Sequence, residues 1–192
     1  MTSDSVNASA ISALMDREST SRSEENQWDI VVWATEHLIE PIVSAHGRKT
    51  VLEQLVGAKC DPYIAALLVQ LSGDDSFRVN EIFSDEEIVE AALVYLLAMP
   101  NAALRDGQWA WTALWNGWDQ FQPRDHYRIL LELIDRAPWD DDILWMIGDG
   151  PLSHVATDAA LRREIDERAR DDPKVARARE LSAEGEEYTS QS

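Results

Sequence analysis

The residues with the widest chemical repertoire in this sequence are four histidines: His37, His46, His126 and His154. They are scattered along the chain. Glu36, His37 and Glu40 fall within one helical turn, so carboxylates and an imidazole share neighbouring positions. A metal centre there requires further ligands from a second helix. Charged residues at this spacing ordinarily make a solvated helix face. Asp140, Asp141 and Asp142 are consecutive, whereas an EF-hand loop alternates its acids around a glycine turn. Negative charge at a helix N-terminus accounts for the run, and for Asp171 and Asp172 as well. Cys60 is the only cysteine, so there is neither an intrachain disulfide nor a thiolate cluster for zinc. Its one basic neighbour, Lys59, does not suffice to make a reactive thiolate. The sequence contains no His-Glu-x-x-His, no phosphate-binding glycine loop and no Gly-x-Ser-x-Gly. No catalytic, metal-ligating or cofactor-binding residue is assigned, and no cofactor is expected.

Eight tryptophans is a high count for 192 residues. Trp111, Trp115 and Trp118 recur at i, i+4 and i+7, one face of a helix, with Trp109 elsewhere on the same segment. Such a stripe packs on a neighbouring helix or anchors a protein partner, because buried tryptophan dominates both cores and interface hot spots. Gly117 beside Trp118 allows close approach in either case.

The formal net charge is −19. That opposes nucleic-acid binding, which needs cations to replace released counterions. It opposes an anionic membrane surface equally. A basic protein is the partner such a field favours. Met-Thr-Ser-Asp at the start is not a basic segment leading into an apolar one, so no signal peptide is expected. The best apolar run, around Ile88–Met99, is interrupted by Glu90. The cytoplasm is the expected compartment.

The elements that must position these residues read as helices throughout. Residues 1–22 are rich in Ser, Thr and Asn and read as a mobile tail, with a helical turn or two around Ile11, Leu14 and Met15. Residues 182–192 read as a second tail. Between them, 23–181 is expected to form one domain. Ser23 caps a helix that Pro41 kinks or ends, and His46-Gly47 is a stop. Arg48–Val56 stops at Gly57. Asp61-Pro62 opens a helix apolar on nearly every side from Ile64 to Leu71, hence buried on every side. Ser84 and Glu87 form a capping box for a second central helix. Helices follow at Trp109–Trp118, from Pro123, from Asp140, around Leu161 and Ile165, and from Asp172-Pro173. No β-hairpin signal occurs. The fold class expected is all-α, with helical hairpins stacked in a compact HEAT-like array or irregular bundle around Leu67 and Leu93.

From Ile143 to Leu152 a short apolar helix runs into Gly148-Asp149-Gly150-Pro151-Leu152. Glycines permit the turn and Pro151 suits a first helical position. With Ile165, Ala169, Asp172 and Pro173 downstream, residues 109–180 resemble an uncharacterised bacterial domain-of-unknown-function family. Its members share a Leu-x-x-Leu-Gly-x-Gly-Pro-Leu-Glu turn, then a helix and an Asp-Pro. This chain has Ser153 where the family has Glu. The resemblance implies a helical fold and brings no reaction, substrate or cofactor. Gly148, Gly150 and Pro151 are therefore expected to serve a structural corner.

Charge, tryptophan content and missing catalytic motifs together point to a protein-interaction module, an adaptor or an immunity-type inhibitor of a basic partner, with Trp111, Trp115 and Trp118 as its contact face. Two alternatives stay open. One is an enzyme with a metal-dependent site through Glu36, His37, Asp140–Asp142 or His154. The other is a structural subunit that presents the Trp helix to a second copy.

Overall fold

Two prolines set the shape of two of the helices. In a regular helix, Pro41 and Pro151 each remove a backbone hydrogen bond and push the ring against the carbonyl four residues back. The chain answers both with a π turn, which widens the helix by one residue. One spans Thr35–Ile39, just ahead of Pro41, and the other spans Gly148–Leu152, with Pro151 inside it. Past the first proline the helix continues to His46, where Gly47 with φ +82° breaks it.

The computed structural model describes residues 7–21, 30–72, 77, 81–98 and 123–189, with side chains up to 182. The chain is all-α, with no strand among these residues. No helix among them is long and apolar enough to cross a membrane. Where the sequence suggests one domain over 23–181, the chain clusters into two compact units, Met1–Gln120 and Phe121–Ser192.

Among the described residues of the first unit the α-helices are α1 (Ala8–Ser21), α2 (Ile30–Ala34), α3 (Glu40–His46), α4 (Arg48–Val56), α5 (Pro62–Ser72) and α6 (Asp85–Ala98). Its centre is α5, where Ile64, Ala65, Ala66, Leu67, Leu68, Val69 and Leu71 are all buried, as an all-round apolar helix requires. The Asp61 carboxylate starts it, with Oδ1 accepting from the Tyr63 and Ile64 amides at 3.0 and 3.2 Å. Helix α6 packs closely on α5 and buries Ile88, Val89, Ala91, Ala92, Tyr95 and Leu96. Leu93 is only half-buried. The capping box at its start is formed: Glu87 Oε2 accepts from the Ser84 amide at 2.9 Å, and Ser84 Oγ accepts from the Glu87 amide at 3.3 Å.

Residues expected to be tail are instead ordered into α1, four turns long. Ile11 and Met15, one turn apart, are buried on its inner face. Polar contacts fasten it: Ser12 Oγ donates to Asp61 Oδ2 at 2.8 Å, Tyr63 Oη donates to Asp16 Oδ1 at 3.0 Å, and the Ser19 hydroxyl also bonds Tyr63. Asp61 therefore caps α5 with one oxygen and holds α1 with the other. At the other terminus the last helix likewise runs past 182, to Thr189.

The second unit holds α7 (Pro123–Arg136), α8 (Asp141–Ile147), α9 (Ser153–Val155), α10 (Ala159–Asp171) and α11 (Pro173–Thr189). Helix α11 is the element the others share, packing on α7, α8, the second π turn and α10. It turns inward Val175, Ala178 and Leu181. Asp140, Asp158 and Asp172 each begin a helix by accepting two backbone amides. Lys174 Nζ donates to the carbonyls of Asp135 and Ala137, both at 2.6 Å, and so closes the C-terminal end of α7.

Candidate functional site

The Gly148–Leu152 turn is a packing device inside backbone that stays helical from Asp141 to Val155. Gly148, Gly150, Pro151 and Leu152 are all buried. A side chain on Gly148 would drive its Cβ into the carbonyl oxygen of Ala178 on α11. Absence of a Cβ is therefore what lets the π turn and α11 meet backbone to backbone. Ser153, at the position that departs from the resembled family, turns its hydroxyl back into the turn. Its Oγ lies 2.7 Å from the Asp149 carbonyl and 2.8 Å from that of Gly150. A short hydroxyl suits that inward reach, and the bond satisfies carbonyls that the widened helix displaces.

Among the histidines, the structure brings together only His126 on α7 and His154 on α9, with ring centroids 6.4 Å apart. His126 is 2% exposed. Burial, and secondarily the neighbouring His154, push its pKa down to about 3. It is neutral near pH 7. His37 is exposed and stacks on Trp33 with centroids 5.7 Å apart, its Nδ1 3.1 Å from the Trp33 carbonyl. Glu36 and Glu40 are exposed beside it. No group of three or more His, Cys, Asp or Glu side chains among the described residues is arranged to hold a metal ion. Cys60 is exposed. Lys59 beside it is engaged by Glu87 at 3.3 Å and Glu90 at 2.9 Å.

Trp111, Trp115 and Trp118 lie outside the described residues. Two other tryptophans stand exposed in the second unit. Trp139 is 59% exposed and Trp145 is 41% exposed. On α8, Ile143, Leu144 and Ile147 are buried, which leaves Asp141, Asp142 and Trp145 on the outward arc. Trp145 thus has carboxylates one turn before it at both i−4 and i−3. Trp139 stands on the exposed run Pro138–Asp142 that leads into the helix. Asp140, in that run, has extended backbone and caps α8 through Oδ1, at 3.0 and 3.2 Å from the Asp142 and Ile143 amides.

Among the described residues, a cation from the same unit reaches this face. Arg177 of α11 forks onto Asp141, with Nε to Oδ1 at 3.1 Å and Nη2 to Oδ2 at 2.7 Å. Its Nη1 donates to Glu180 at 2.7 Å. The guanidinium holds the Asp141 carboxyl below the usual carboxylate range. From Trp139 to Gly150 the chain carries four aspartates and no basic residue.

The sequence reading passed over Trp139 and Trp145, treating 143–147 as uniformly apolar. The signal was present. Three aliphatic residues at 143, 144 and 147 already complete a helix's inner face, so an aromatic at 145, three and four residues after aspartates, must face outward.

Compared with known proteins, the chain matches no family model, no curated protein and no solved structure.

Proposed function

We propose that the chain is a protein-interaction module, an adaptor or an immunity-type inhibitor, that binds a basic protein in the cytoplasm. One observation carries this reading. Two large indoles, Trp139 and Trp145, stand in solvent on a segment whose charged side chains are all aspartates. Each indole packs part of its surface in the free chain and leaves the rest in solvent. Covering the rest of each indole buries on the order of 100 Å² more, which at about 25 cal/mol per Å² is roughly 2–3 kcal/mol per indole. The carboxylates around the indoles select the sign of the partner's charge and speed its approach.

Membership in the resembled Gly-x-Gly-Pro-Leu family is proposed with it and adds no activity. Stacked hairpins of the HEAT-like kind would suit a scaffold that presents side chains without moving them.

The test is affinity capture from source cells, followed by titration of whatever is recovered. A saturable basic partner, bound more weakly as salt is raised, is the expected result. Recovery of acidic proteins alone, or binding indifferent to salt, would sink the reading.

A further inference from the structure

We infer that the Trp139–Trp145 face takes an arginine-bearing segment of the partner, with guanidinium groups stacked on the indoles. This rests on the interaction-module reading and narrows it to one surface and one side chain.

The argument is geometric. A cation over an indole face, within about 6 Å of its centre, is drawn to the negative face of the ring. A guanidinium can lie flat there and still donate from its edge to a carboxylate, because its donors point outward in the ring's plane. The compact ammonium of lysine cannot do both at once. Trp145 offers an outward indole with Asp141 and Asp142 one turn behind it. Trp139 offers a second indole beside Asp140. The chain already shows that this face accepts a guanidinium edge-on, since Arg177 forks onto Asp141 there. That internal arginine divides its donors between Asp141 and Glu180. Asp140, Asp142 and Asp149 add negative charge to the same stretch, each of them also engaged within the chain. Charge complementarity therefore names the occupant as cationic, and the exposed indole faces name the cation as planar.

Two synthetic peptides of equal length and charge serve as probes, one alternating arginine with serine and the other alternating lysine with serine. Binding to the full chain is followed by calorimetry and by the indole N–H resonances, assigned through single Trp→Phe variants. The arginine peptide should bind roughly fivefold to tenfold more tightly than the lysine peptide, in line with the strength of exposed cation–π contacts. It should shift the Trp139 and Trp145 indole signals most. Trp145→Ala and Trp139→Ala should each weaken arginine-peptide binding several-fold and bring it toward the lysine value. The wild-type spectra keep the result readable should either alanine variant unfold. If both peptides bind equally, or other indoles shift instead, the inference is overturned while a basic partner elsewhere on the chain stands. If neither peptide binds, the inference falls, and the interaction-module reading is then judged on the captured protein alone.

Discussion

Gly148 in the second π turn lies so close to Ala178 of α11 that a single methyl group cannot be placed between them. The obstacle is backbone, not a flexible side-chain end, so one element has to move. Gly148→Ala should cost about 1–3 kcal/mol, the usual range for overpacking. Gly57→Ala is the matched control. Its added Cβ meets only the Gln54 and Glu53 carbonyls at 3.4 and 3.5 Å, and its φ of −60° suits alanine. That change should be neutral or stabilising by up to about 1 kcal/mol. Urea denaturation of the two variants separates the cases. Equal stability would show that α11 can slide away freely.

His126 should give the second unit an acid-sensitive stability. Its pKa falls from about 6.5 unfolded to about 3 folded, through burial first and His154 second. The unfolded chain takes up the proton first, so stability rises with pH between those two values. It is lost as pH falls through that window and levels off below about 3. By about pH 5 the loss from this residue alone is roughly 2 kcal/mol. His126→Leu should flatten the slope of stability against pH between about 6.5 and 4, whatever it does to stability at neutral pH. An unchanged slope in denaturation curves would count against a neutral buried imidazole.

Asp61 joins two helices, and the two jobs can be separated. Asp61→Ala removes the α5 cap and the α1 contact together, and should cost about 1–2 kcal/mol. Ser12→Ala removes only the contact with α1. It should raise hydrogen exchange across Ala8–Ser21 and leave Pro62–Ser72 protected. Asp61→Ala should raise exchange in both segments. Exchange mass spectrometry reads the two peptides independently, and equal loosening of both by Ser12→Ala would contradict the division.

These residues also show what the sequence can and cannot convey. Caps are local, so Asp61, Ser84 with Glu87, Asp140 and Asp172 were legible as helix starts, and all four form. Total burial of α5 was equally plain, because no face of it is polar. Of helix α1 only a turn or two was legible. Its stripe is short, Ile11, Leu14 and Met15 among serines, and contacts with Asp61 and Tyr63, some 50 residues away, hold it in place. The prolines marked where two helices are disturbed but not how, because a π turn and a break leave the same trace in sequence. At the candidate site the Asp140 cap could be read, whereas the exposure of Trp139 follows from how the short link between α7 and α8 is held.

That link is held by Lys174. Its ammonium donates to the Asp135 and Ala137 carbonyls, the second of them two residues before Trp139. Hydrogen bonds from a charged donor exceed neutral ones, and these also satisfy carbonyls that the end of α7 leaves open. Lys174→Met keeps the aliphatic stem and removes both bonds, which should cost about 1–2 kcal/mol. The more telling effect is local. With the tether gone, amides from Leu133 to Ala137 should exchange faster and the Trp139 indole signal should sharpen as the link gains motion. Trp145, seated on α8, should be unaffected. A variant in which both indole signals change alike would mean that Lys174 supports the unit as a whole rather than the position of Trp139.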